Sequence, residues 1–182
     1  MKESLMKNSS QAFTKHDHST CLNRSLRALE RHLYARKLQL TPLRKKVFEY
    51  LLQDHRPIGA YEILDRLRED GFSSTPPIAY RVLDFLIAEG FAHKIKKLNA
   101  FVACTNPGNR HSPAFMICRK CKKVAEVNKG ETAFDLKKVS PTDFEIEESV
   151  IELIGVCKPC NNLEAAWACL KSINLTSSTA KM

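Results

Sequence analysis

The chain predicts an α+β protein in two parts, and three features of its 182 residues carry that prediction. Apolar residues recur at helical spacing from Leu22 to Ala88. Two short apolar runs, FAHKIK and AFVAC, then read as strands. Two Cys-x-x-Cys pairs lie in the remainder, among further strand candidates. Helices closed by a hairpin outline an N-terminal winged helix-turn-helix. The rest of the chain reads as a small α/β unit without a generous core, so a metal or a partner subunit should complete it.

Residues 1–20 are polar and aperiodic and read as a flexible tail, in which His16 and His18 are not preorganised for a metal. The first helix is marked by Leu22, Leu26, Leu29 and Leu33, spaced four, three and four, with basic residues between them. Thr41 is a candidate N-cap and Pro42 suits the first turn of a second helix, whose stripe is Val47, Phe48, Leu51 and Leu52. After the break Arg56-Pro57-Ile58-Gly59, a third helix spans about Ala60 to Asp70 with Ile63, Leu64 and Leu67 inward, and Gly71 ends it. Pro76-Pro77 opens a fourth, with Ile78, Val82, Phe85 and Leu86 on its core face. Tyr80, Arg81, Asp84 and Ala88 fall on the opposite face.

The two strands after this helix turn at Lys97-Leu98-Asn99. The winged-helix unit thus covers residues 21–104. TNPGNRHSP is rich in turn formers and marks a hinge at 105–113. Residues 114–182 form the second unit. AFMIC, KVAEV and FEIEESVIELIGV are its strand candidates, with a short helix around 131–138 and a terminal helix over LEAAWACLKSI.

Net charge is +9 with a pI near 9.3, which favours an anionic partner. Residues 22–97 carry 15 Lys/Arg against 9 Asp/Glu, and residues 98–182 carry 11 against 9, so the first half meets that partner. No stretch approaches the roughly 20 apolar residues that span a bilayer, and the N-terminus lacks the apolar segment of a secretion signal. The expectation is a cytoplasmic protein with no membrane partner.

In that compartment clustered cysteines are more often metal ligands than disulfides. Cys118-Arg-Lys-Cys121 and Cys157-Lys-Pro-Cys160 offer four soft thiolates, a tetrahedral set for a closed structural zinc site. Arg119, Lys120, Lys122 and Lys158 would offset its negative charge. A redox dithiol would need a βαβ context that neither pair has. No H-x-E occurs among the six histidines, which argues against a zinc nucleobase deaminase and, with it, the clearest enzymatic reading. Cys21 and Cys169 match no set, and Cys169, near Trp167 in an apolar helix, reads as packing.

As an ordered set, LTPLRKKVFEYL, AYEILDRLR, PPIAYRVLDFLIAEGFAHKI, FVAC, HSPAFMICRKCKKVAEV and VIELIGVCKPC resemble the ferric uptake regulator (Fur) family over residues 24–160, most closely its zinc uptake regulator (Zur) branch. The resemblance implies a homodimeric, metal-dependent transcription repressor that binds double-stranded operator DNA and holds two Zn2+ per subunit. It further implies a regulatory zinc site near the hinge, falling on His93, Cys104, His111 and Glu126. Two imidazoles, a thiolate and a carboxylate suit zinc better than a harder iron sphere. Singly, each has an ordinary alternative: a half-buried histidine, a small core thiol, a solvated linker histidine, a solvated acid. Many iron-type relatives carry a His-rich stretch before the first Cys-x-x-Cys; only His111 stands there.

For DNA, Arg81 is the candidate base reader, since its fork can contact guanine O6 and N7 together. Tyr80 and Tyr61 fall where the family contacts bases or backbone. Arg44, Lys45, Lys94, Lys96 and Lys97 supply possible phosphate contacts, or else a solvated face. Ile78-Ala79 replaces the family's usual Thr-Val, which removes a hydroxyl that could reach phosphate. Asp65 and Arg68 suit a local ion pair or a contact between neighbouring dimers. The expected function is a zinc-responsive repressor controlling zinc uptake genes; the alternatives are a family sensor of iron or peroxide, or a non-regulatory zinc-stabilised module that binds nucleic acid.

Overall fold

The computed structural model describes residues 12–13, 18–53, 56–73, 75–107, 113–128 and 149–162. His16, His111, the helix expected around 131–138, residues 144–148 and the terminal helix with Cys169 lie outside these, as do the side chains of His18 and Cys21.

Helix α1 (His18–Ala35) starts four residues ahead of the leucine stripe and buries Leu26, Leu29 and Leu33. Helix α2 (Pro42–Gln53) begins as Thr41 predicts: the Arg44 amide donates to Thr41 Oγ1 at 3.3 Å, satisfying one of the free donors of the first turn. Its inner face is Val47, Phe48, Tyr50 and Leu51, with Leu52 only half-buried. Tyr50 is drawn inward because its hydroxyl donates to Asp70 Oδ2 at 2.6 Å beyond α3 (Ala60–Glu69), where Lys46 pairs with the same oxygen at 2.8 Å. Gly71 closes α3 at φ +80°, a conformation that costs glycine little.

Helix α4 (Pro76–Ala88) buries Ala79, Val82, Leu83 and Leu86. The expected face was Ile78, Val82, Phe85 and Leu86; Ile78 and Phe85 flank the core half-buried instead. The helix packs against α2, α3 and the following strand, so its buried arc is wider than one stripe and centres on Leu83. Tyr80, Arg81, Asp84 and Ala88 are exposed together, as the periodicity predicts.

The wing is an antiparallel hairpin of β1 (Ala92–Ile95) and β2 (Ala100–Ala103), registered from Ala92 opposite Ala103 to Ile95 opposite Ala100. A 3-10 turn at Lys96–Leu98 and Asn99 at φ 45° join the strands. Ile58 adds a third rung by exchanging two 2.9 Å hydrogen bonds with Phe101. The second sheet has the order β4-β3-β5, with β3 (Pro113–Cys118) antiparallel to β4 (Val124–Asn128) and parallel to β5 (Ile151–Gly155). A short helix, α5 (Lys158–Asn161), comes after β5.

Ile95 and Val102 of the wing share one buried cluster with Phe115, Ile117 and Val124 of the sheet. Beside it the Glu152 carboxylate on β5 accepts the Lys96 amide at 2.6 Å and the Lys97 amide at 2.9 Å, tying the wing's turn to the sheet. No helix among the described residues is long and apolar enough to cross a membrane. Leu83→Ala should destabilise the protein by about 2–5 kcal/mol, the range for emptying a fully buried leucine site, read as a lowered urea midpoint with an unchanged slope.

Candidate metal centres

Two clusters of metal-ligating side chains stand among the described residues, and each draws on elements distant in sequence. The first comprises Cys118, Cys121, Cys157 and Cys160, whose sulfurs all lie within 4.8 Å of one another. Cys118 ends β3. The turn after it brings Cys121 back to the same side, with Lys122 at φ 61° and its amide bonded to the Cys118 carbonyl at 2.9 Å. Cys157 precedes α5 and Cys160 lies within it, the Cys160 amide donating to the Cys157 carbonyl at 3.0 Å. The parallel pairing of β5 on β3, extended by the Arg119 amide to the Gly155 carbonyl at 2.8 Å, delivers the second knuckle to the first.

Sulfurs about 2.3 Å from a tetrahedral zinc lie about 3.8 Å apart. Cys121 and Cys157 show a 3.8 Å separation, so the donor set fits that ion. Burial disfavours a thiolate at Cys118, but the amides of Cys157, Cys121 and Lys120 aim at its sulfur and outweigh burial, bringing it below the ordinary thiol range. The Cys121 thiol is pushed the other way, first by burial. Of the basic residues expected nearby, Lys120 donates to the Cys160 carbonyl at 3.0 Å, which ties the first knuckle to the second. Phe13, Val156 and Cys157 pack around the buried sulfurs.

The second cluster is His93, Cys104 and Glu126. His93 projects from β1, Cys104 comes directly after β2, and Glu126 projects from β4, so the cluster joins wing to sheet. His93 Nε2 lies 3.5 Å and Cys104 Sγ 3.7 Å from the same oxygen, Glu126 Oε1. Donors about 2.0–2.3 Å from one tetrahedral zinc fall near that spacing. The His93 ring stacks edge-on to Phe115 at 5.4 Å, which limits its rotation. Burial and the Glu126 charge raise the Cys104 thiol far above its usual range, while the Asn106 amide, 3.3 Å from the sulfur, opposes this. A cation among these groups would reverse that preference and favour the thiolate.

Glu126 is only 7% exposed, and a buried carboxylate needs hydrogen bonds. Thr105 provides two, to Oε2: its amide at 2.7 Å and its hydroxyl at 3.0 Å. That leaves Oε1 turned toward His93 and Cys104. In the sequence Thr105 stands merely at the start of the hinge. The available signal was a threonine straight after a candidate ligand in a turn, a residue type that bonds locally through its hydroxyl. His111, the fourth expected ligand, lies outside the described residues.

The residues expected to meet DNA are distributed over the first unit. Tyr61 is 69% and Tyr80 37% exposed, and Arg81 is exposed beside Tyr80. The Arg44 guanidinium lies 3.6 Å over the Phe85 ring and donates to the Gln39 carbonyl at 2.6 Å. Lys45 is 3.5 Å from Glu30, and Lys94 lies over Phe101. Lys96 and Lys97 are exposed at the wing's turn. Asp65 and Arg68 form the local ion pair, at 3.0 Å.

Over 138 residues the chain is 36% identical to the zinc uptake regulation proteins of Escherichia coli (strain K12) and Shigella flexneri, covering 71% of this chain and 77% of each relative. Among solved structures it is similar to holo XcZur, at 38% identity and a TM-score of 0.69, covering 76% of this chain and 98% of the other. It is also similar to a zinc uptake regulator complexed with zinc and DNA, at 31% identity and a TM-score of 0.72, covering 83% and 99%. No family model matches the chain.

Cys157→Ser should remove one zinc per chain and lower the melting temperature sharply, because metal-binding energy in such a site is folding energy; metal counting alongside a melting curve checks both. Thr105→Val keeps the volume but removes one donor to Glu126. It should weaken metal binding at the His93, Cys104 and Glu126 cluster about 10–100-fold, the usual cost of losing an orienting partner. A competition titration with a chelating dye, in which the four-sulfur zinc stays bound, measures it.

Proposed function

Because this chain belongs to the zinc uptake regulator branch of the ferric uptake regulator family, we propose that it is a zinc-responsive transcriptional repressor acting in the cytoplasm. In this reading a homodimer binds double-stranded operator DNA when the hinge cluster holds zinc, and it controls zinc uptake genes. The observation that carries the proposal is the convergence of His93 and Cys104 from the wing with Glu126 from the sheet, all ligand atoms within 4.8 Å. Relatives that are regulators, one solved with zinc and DNA, support a DNA-binding rather than an enzymatic role.

Each subunit would hold two zinc ions. Cys118, Cys121, Cys157 and Cys160 would keep one permanently, and His93, Cys104, His111 and Glu126 would form the regulatory site. Zinc bound there supplies coordinate bonds that meet at one point from both sides of the hinge. The protein's own part is to bring those donors together. Thr105 holds the Glu126 carboxylate in its orientation, Phe115 limits the His93 ring, and the Asn106 amide faces the Cys104 sulfur. The wing, residues 92–103, is then set against the sheet, and with it the unit 21–104 takes one position relative to the dimerisation unit 114–182.

That position governs DNA binding because a dimer must place two recognition helices at a fixed half-site separation. Helix α4 would enter the major groove, Arg81 reading base edges with Tyr80 and Tyr61 alongside. Arg44, Lys45, Lys94 and Lys96 would hold phosphates on either side. Driving a population from 1:99 to 99:1 requires about 5.5 kcal/mol of differential affinity, which ligands joined only in the closed arrangement can supply across a dimer.

Cys104→Ser tests the switch. The variant should keep its four-sulfur zinc, its dimer and weak sequence-independent DNA binding, but lose zinc-dependent operator binding. The measurement is a band shift over buffered free zinc on a duplex selected by the parent chain, with sedimentation and metal content recorded. A Cys104→Ser protein that tracks the parent at every zinc level would show that the switch is not at the hinge.

A further inference from the structure

The outer face of α1 takes no part in the proposed DNA contacts, yet it has the chemistry of one. Arg24, Arg27, Arg31 and Tyr34 recur at spacings of three, four and three, opposite the leucines the helix buries. All three arginines are exposed and Tyr34 is 87% exposed. The arginines line an open depression of about 620 Å³ with Asn23 and Glu30. Arginines three and four apart on one helix face repel one another. Among the described residues no acidic side chain pairs with Arg24, Arg27 or Arg31. Glu30, the one acid in the depression, faces Lys45 at 3.5 Å instead.

The stripe is continuous with the recognition surface. Glu30 meets Lys45 at the start of α2; Arg44 beside it covers Phe85, and Phe85 stands one helical turn past Arg81 on α4. A basic band therefore runs from α1 across the start of α2 to α4. Arg24 to Arg31 spans about 10 Å of helix axis at 1.5 Å per residue, a length over which one DNA strand presents about three phosphates measured along the duplex axis, at 3.4 Å of rise each. Guanidinium forks pair well with phosphate oxygens, and a phenol hydroxyl can donate to one.

We propose that α1 is a second DNA-backbone contact surface, with Arg24, Arg27, Arg31 and Tyr34 gripping phosphates of the duplex that flanks the half-site read by α4. The inference rests on the DNA-binding reading above. It adds affinity without sequence preference, because phosphates carry no base information.

The test uses the full zinc-loaded chain and the triple variant Arg24→Ala/Arg27→Ala/Arg31→Ala, on operator duplexes with long and short flanks across a salt series. The variant should keep its metal content, melting curve and base preference. Its log-affinity against log-salt slope should fall by about 2–3 per bound protomer, at about 0.9 for each phosphate no longer neutralised. Trimming the flanks should weaken the parent and leave the variant unchanged. The triple Arg→Lys variant should retain most of the slope, because a point charge still neutralises phosphate, whereas Arg81→Ala should alter base preference instead. An unchanged salt slope in the triple alanine variant overturns the proposal and leaves the face for an acidic protein partner. Altered base preference in that variant also overturns it. A parent that binds operator while the triple variant binds equally well sinks this inference alone; a parent that binds no duplex sinks the repressor reading too.

Discussion

A carboxylate buried between two structural units is the constraint on which the rest of this architecture depends. Glu126 is cut off from water, and an ionised group in that position is costly unless it is hydrogen-bonded and paired. Thr105 meets one oxygen with two donors, and His93 and Cys104 face the other. The wing's second strand must therefore end where it does, so that Cys104 and Thr105 arrive at the sheet in succession. The Cys104 amide bonds to the Phe91 carbonyl at 2.9 Å, which ties the thiol's position back to the end of α4. The Glu126 charge on the sheet and the C-terminal end of α4 are thus linked through a short chain of hydrogen bonds.

Around that acid the wing and sheet share apolar contacts that need no metal. Ile95 and Val102 lie against Phe115, Ile117 and Val124, and Glu152 captures two amides of the wing's turn. Non-directional burial brings the two surfaces together, while the groups around Glu126 meet through directional hydrogen bonds. The proposed switch draws on this division. A seam built of burial alone tolerates small displacements, whereas coordination at fixed bond lengths does not.

The four sulfurs serve a different end. Among the described residues strand β5 lies at the edge of its sheet, with Leu153 and Ile154 about half exposed, so its own burial holds it weakly. The knuckle after β5 is pinned to the knuckle after β3, and the amides around Cys118 favour its thiolate. In a unit this small, a metal held by the four sulfurs would offset what a limited core cannot supply. The two clusters of candidate ligands thus differ in what surrounds them: one lies around the ends of β3 and β5, and the other joins wing to sheet.

Local chemistry was legible along the chain before any packing is considered. Leucine spacing set the helices, Thr41 and Pro42 set the start of α2, and the Cys-x-x-Cys pairs identified four sulfurs as one set, because each signal lies within one or two turns of chain. The candidate ligands His93, Cys104 and Glu126 were legible through the family resemblance, since each alone has an ordinary alternative. Tertiary packing decided which groups meet. Thr105 became the partner of an acid 21 residues away, and Glu152 became the anchor of a turn 55 residues before it. The buried arc of α4 centred on Leu83 because two helices and a strand pack on it together. Such outcomes arise from long-range packing, in which a residue's role is fixed by what folding brings beside it, and no periodicity along the chain records that.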